Sequence, residues 1–146
     1  MKKLTIKIKR FDRTLPIPAQ QTKGAVCFDL YARTDVTVQP KSVGYVPLNV
    51  AIKVPDNYWV LLTARSSLHK RGLTPANGVG IIDEDFSGDG DEYQLIVFNF
   101  TDRAVSVERT ARVAQAMVLP TQKIEIQDVK KLNQPNRGGI GSTGTN

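Results

Sequence analysis

This chain has a single cysteine and a single histidine in 146 residues, and each scarcity closes off a class of chemistry. Cys27 alone cannot form an internal disulfide, in keeping with a reducing compartment. With His69 the only imidazole, a zinc centre built from histidine and cysteine is excluded. No apolar run approaches the ~18 residues of a membrane span. The lysine-rich start lacks the apolar stretch of a secretory signal, so no membrane partner and a cytoplasmic location are expected. Aromatic residues are also sparse, at 7%, and do not interleave with basic ones as base-stacking platforms require, so no stable nucleic-acid complex is expected.

What is present fits one domain with a real core: 40% hydrophobic and 23% charged residues. The net charge of +6 favours a polyanionic partner, whether nucleic acid or a phosphorylated small molecule. Lys2, Lys3, Lys7, Lys9, Arg10 and Arg13 gather at the start, where Leu4, Ile6 and Ile8 alternate with polar residues as on a solvated strand. Arg65, Arg71, Arg112 and Arg137 stand isolated among small or apolar neighbours.

The patterning predicts strands and almost no helix. Strand signals cover Leu4–Arg10, Val36–Val38, Val43–Val54, Tyr58–Thr63, Gln94–Phe100, Val105–Val107, Val113–Leu119 and Ile124–Val129. Eight prolines and eleven glycines punctuate them in the rhythm of a sandwich or barrel. Only Ser66–Arg71 can turn helically. A barrel domain over residues 1–132 is expected, followed by a mobile glycine-rich tail over 133–146.

Five segments carry chemistry. Asp29 lies between apolar neighbours on a predicted strand, either an edge-strand acid or a ligand-facing one. Arg65-Ser66-Ser67 opens a turn after a strand, and reads equally as a helix cap or as a fork of phosphate donors. From Asn77 to Gly88 a glycine-flanked β-hairpin is expected, with Asp83 at the end of the apolar pair Ile81-Ile82, where burial acts on a carboxylate. Arg112 and Gln115 begin a strand, and a solvated strand terminus is the plainer reading. The tail from Arg137 to Gly144 has phosphate-loop composition without the P-loop pattern.

Taken together, these segments resemble the motifs of the trimeric dUTPase family, in order and across nearly the whole chain. They are Ala25–Leu30 ending in Asp29-Leu30, then Arg65-Ser66-Ser67-Leu68, then Gly80-Ile81-Ile82-Asp83 through Phe86 to Gly88. Arg112-Val113-Ala114-Gln115 and Gly139-Ile140-Gly141-Ser142-Thr143-Gly144 complete the set. The resemblance implies an all-β, distorted jelly-roll-like barrel. It further implies a homotrimer with shared active sites, and hydrolysis of dUTP to dUMP and pyrophosphate with Mg²⁺. It makes Asp83 the general base and places Asp29 near the metal's water shell. Phosphate contacts fall to Arg65, Ser66, Ser67 and Gln115, with Arg112 beside them. The uracil contacts fall to Asn77, Gly80 and Ile81, and Phe86 faces the sugar. Arg137, Ile140, Gly141, Ser142 and Thr143 belong to the closing tail.

Three positions depart from the family pattern. Phe86 replaces tyrosine, Ile140 replaces phenylalanine, and Arg137 sits two residues nearer to that position than the usual tail arginine. Asp89-Gly90-Asp91-Glu92 reads as a short acidic insertion without an assigned role. A dCTP deaminase-like enzyme, the nearest alternative, needs a glutamate in Gln94–Phe100, where Phe98 stands instead. A non-catalytic nucleotide-binding relative is opposed by the retained Asp29 and Asp83.

Overall fold

The structure, a computed structural model, describes residues 3–140, 142 and 144. Its strands are β1 (Lys7–Arg10), β2 (Phe28–Tyr31), β3 (Val36–Val38), β4 (Val43–Pro47), β5 (Val50–Lys53) and β6 (Tyr58–Ala64). They continue with β7 (Leu73–Pro75), β8 (Gly80–Ile82), β9 (Gln94–Asn99), β10 (Val105–Val107) and β11 (Arg112–Pro120). All pairings are antiparallel and fall into four small sheets, β1-β5, β3-β10, β2-β11-β6-β8 and β4-β9-β7. The expected all-β, distorted jelly-roll-like architecture is what the chain forms. Among the described residues no helix is long and apolar enough to cross a membrane.

Alternation explains the core. In β9, Leu95, Val97 and Asn99 point inward while Gln94 is exposed and Ile96 and Phe98 are half-buried. β5 is buried at three successive positions, Val50, Ala51 and Ile52, because it is covered on both faces. Leu30, Val46, Leu48, Leu73, Val97 and Val107 are fully enclosed and join the sheets into one cluster. Among the described residues the one helical element is a single 3-10 turn, Leu68–Arg71, stopped by Gly72 at φ 84, where its N–H caps the His69 carbonyl. That backbone region favours glycine.

Three expectations change. The first strand is Lys7–Arg10 rather than Leu4–Arg10, because only those residues find a partner in β5. The run Val43–Val54 is two strands, broken where Asn49 takes φ 67. Asn49 is buried, and its side chain grips the backbone of Asp12 at 2.6 and 3.0 Å, tying the N-terminal segment to the barrel. Ile124–Val129 forms no strand: Ile124 and Ile126 are 80% and 85% exposed and no edge of the same chain receives them.

Asn99 is a second buried polar lock. Its amide donates to the carbonyls of Val38 at 2.9 Å and Arg103 at 2.7 Å, while its oxygen accepts from Thr101 N–H and Oγ1. Truncation strips partners from buried groups, so Asn99→Ala is expected to destabilise the fold by about 1–3 kcal/mol. A thermal or denaturant melt checks this, and an unchanged midpoint would show the lock to be idle.

Candidate active site

One cluster forms where β2, β11 and β6 run side by side. Gln115 faces Asp29 on one side and Thr63 on the other, so all three lie in one row across the sheet. A register shift between Arg112 and Ala114 re-aims the start of β11. Asp29, only 6% exposed, then receives two guanidiniums: Arg65 at 3.4 Å and Arg112 at 3.2 Å. A buried carboxylate needs such partners. Two positive charges against one negative leave the cluster an excess for an anion.

The turn after β6 supplies more donors. Arg65 N–H is fixed to the Val113 carbonyl at 3.0 Å, and the His69 ring nitrogen Nδ1 lies 2.9 Å from the Ser66 carbonyl. Ser67 occupies the N-cap position of the 3-10 turn but makes no side-chain capping bond. Capping therefore does not consume its hydroxyl, and both serines are exposed. Gln115 Nε2 is held by the Ala64 carbonyl at 3.2 Å. Asp29, Arg65, Ser66 and Gln115 line one open cleft together with Gln21 and Cys27, neither of which the sequence assigned to a site. Burial, with the Asp29 charge adding to it, pushes the Cys27 thiol up, so it is no ready nucleophile.

A second cluster surrounds β8. The expected hairpin is absent: β7 pairs with β9 and β8 with β6, so the turn from Ala76 to Val79 crosses between sheets. A narrow cleft of about 160 Å³ opens there, lined by Leu62, Asn77, Gly80, Ile81, Ile82 and Leu95. A side chain at Gly80 would stand 3.2 Å from the Leu62 Cβ, so glycine keeps this opening clear. Ile81 is 67% exposed, which corrects the expected buried run before Asp83. Asp83 itself is exposed beside Trp59 and Tyr58, at the mouth of a larger concavity rather than on a buried floor. Next to it, Glu84 is committed to the Asn57 N–H at 2.9 Å. The Phe86 ring leans on Tyr93, centroids 6.3 Å apart.

The two clusters do not meet within one chain. Ile82 pairs with Val60, which sets Asp83 near Trp59, whereas Arg65 follows the far end of β6. At about 3.3 Å per residue the separation along the strand is roughly 20 Å. Nor does the tail join either cluster. Arg137 lines a cleft made only of residues 131–137, and Ile140 and Ser142 are exposed. Gly141 and Thr143 lie outside the described residues.

Among the described residues, no three histidine, cysteine or acidic side chains converge as a metal cage. The single carboxylate in the first cleft, Asp29, is occupied by two arginines. This donor set fits a hard cation carried in by substrate phosphates with its own waters, the usual habit of Mg²⁺.

Comparison with known proteins gives the chain its family. The dUTPase family model matches residues 13–145. The deoxyuridine 5'-triphosphate nucleotidohydrolase of Hydrogenobaculum sp. is 38% identical, with 97% of this chain and 98% of the relative covered. Its counterpart from Nautilia profundicola is 35% identical, covering 97% and 99%. The fold matches the Staphylococcus bacteriophage 80alpha dUTPase with dUPNHPP at TM-score 0.83 and 20% identity, over 97% of this chain and 99% of that one. It also matches the Streptococcus mutans dUTPase at TM-score 0.73 and 25% identity, over 81% and 98%. With a family model spanning nearly its whole length and relatives above 30% identity, the chain belongs to the dUTPase family.

Proposed function

We propose that this protein is a dUTP diphosphatase, splitting dUTP into dUMP and pyrophosphate at sites completed between the copies of a homotrimer. Such an enzyme keeps uracil out of DNA and supplies dUMP for thymidylate synthesis, acting on the cytoplasmic nucleotide pool. The reaction rests on family membership and on relatives named for it. The sharing of sites rests on one observation: the phosphate-type donors and Asp83 lie at opposite ends of β6. One chain cannot bring both to a single nucleotide, but a neighbour's β8 end can face the first cleft. The exposed Ile124, Ile126 and Leu132 supply apolar surface for a neighbour to cover.

In this reading the triphosphate lies against Arg65, Ser66, Ser67 and Gln115, with Arg112 holding Asp29 beside them. Asp29 would hold Mg²⁺ indirectly, through water, and the ion would neutralise charge on the phosphate oxygens. Uracil enters the narrow cleft, where the backbone of Asn77, Gly80 and Ile81 offers donors and acceptors to its polar edge. The tightness between Leu62 and Ile82 rejects a methyl at C5. Phe86 lies against the sugar and fills the space of a 2'-hydroxyl. Asp83 orients a water and takes its proton. The water oxygen bonds to the α-phosphorus as the bond to the bridging oxygen breaks, and pyrophosphate leaves with that electron pair. Before this step the tail closes over the intact triphosphate through Arg137 and Ser142, with Ile140 above the base as an aliphatic lid.

Asp83→Asn preserves shape but cannot accept the proton, so kcat is expected to fall by about 10²–10⁴ with dUTP binding retained. Pyrophosphate release and equilibrium binding measure the two separately, and near-normal kcat would remove Asp83 as the base. Mixing the inactive variants Asp83→Asn and Arg65→Ala after mild dissociation should restore activity. Mixed trimers rebuild some sites from the intact halves of each chain. Light scattering fixes the oligomer, and no recovery from mixed trimers would refute the shared site.

Deleting Gln134–Asn146 should leave the assembly folded, because the described residues of the segment are all exposed. It should still lower kcat sharply at saturating dUTP and Mg²⁺, since the closing cover is lost. Equal rates for truncated and full-length enzyme would make the tail a bystander.

A further inference from the structure

Phe86 is 42% exposed and lacks the hydroxyl that could moor a tyrosine at its place. Its backbone is held only by a local turn, with Phe86 N–H to the Asp83 carbonyl at 3.2 Å. What limits the ring is Tyr93, packed behind it at an interplanar angle of 32°. Aromatic pairs at this spacing hold a preferred geometry. Tyr93 is 1% exposed, and its main chain is fastened at both polar atoms: N–H to the Val50 carbonyl at 2.8 Å, C=O from Leu48 N–H at 2.9 Å. The neighbouring Glu92 accepts a two-pronged contact from Arg33 at 2.7 and 2.9 Å, and the Asn49 N–H at 3.0 Å. Arg33 is itself tied through its N–H to the Pro47 carbonyl.

The acidic insertion thereby divides in two. Gly88 to Asp91 closes on itself, Gly88 N–H meeting Asp91 Oδ2 at 2.7 Å, and absorbs the added length. Glu92 restarts the rigid frame.

We propose that Tyr93, braced by the Glu92–Arg33 ion pair, is the positioning residue that sets the Phe86 ring and so governs discrimination between deoxyribose and ribose triphosphates. The inference rests on the reading of Phe86 as the sugar-facing ring. A substrate presses on the free face of that ring, and without a backing the ring swings aside and admits a 2'-hydroxyl.

The test compares kcat/KM for dUTP and UTP in wild type, Phe86→Ala, Tyr93→Leu, Tyr93→Phe, Glu92→Gln and the double variant Phe86→Ala/Tyr93→Leu. Tyr93→Leu should lower the dUTP-over-UTP ratio by about tenfold, while Tyr93→Phe, which keeps the ring, preserves it. The double variant should match Phe86→Ala alone, because a backing has no effect once the ring is gone. A merely structural role would instead leave the ratio intact or add its full effect in the double variant, and either result overturns the proposal. If Tyr93→Leu does not fold, Glu92→Gln carries the comparison: its ratio must fall with Phe86 present and stay level in a Phe86→Ala background. Equal ratios for wild type and Phe86→Ala would overturn the sugar reading itself, and the proposal with it.

Discussion

Strand β11 is the constraint on which the rest of the structure depends. It is nine residues long, paired with β6 along most of its length and with β2 at its start. Ala114 and Ala116 are fully buried on one face of it, small enough for the core to close over them. Gln115, locked between Asp29 and Thr63, keeps its geometry from main-chain ladders, while Arg65, Ser66 and Ser67 stand on the turn that follows β6. Hydrogen-bonded strands are the stiffest support a site can have.

Charge is organised by the same frame. Asp29 joins Arg65 to Arg112, Glu92 takes Arg33, and Asp12 takes Arg109 at 2.7 Å. The Arg109 contact, with help from Thr14, holds the Asp12 carboxyl at about 2, below the usual 3.8. The positive excess seen in the composition therefore does not lie evenly over the surface. Part of it is concentrated on the buried Asp29, where two guanidiniums share one carboxylate.

Much of the fold was legible in the sequence because alternation and proline–glycine punctuation are local signals. Val36–Val38 and Val105–Val107 match β3 and β10, and Tyr58–Thr63 misses β6 by one residue. Pro47 did signal an interruption of Val43–Val54, but the buried left-handed Asn49 that makes the break was hidden. The hairpin around Asp83 failed because pairing across sheets is a long-range choice, invisible to a turn signal. Ile124–Val129 has strand composition but no partner edge in its own chain. At the site, motif order put forward Asp29, Arg65, Asp83 and Gln115, of which the structure gathers Asp29, Arg65 and Gln115 in one cleft and sets Asp83 in another. It did not reveal Tyr93, Glu92 or Arg33, whose role comes from contacts spanning up to 59 positions.

The distance between the two clusters along β6 also bears on how the protein behaves as its abundance changes. On the shared-site proposal, a chain whose catalytic groups meet only on a neighbour is silent when alone. Turnover per molecule then rises with protein concentration until association saturates, and falls again on dilution. The first copies made in a cell contribute little, and activity switches on with a steeper than linear dependence on expression.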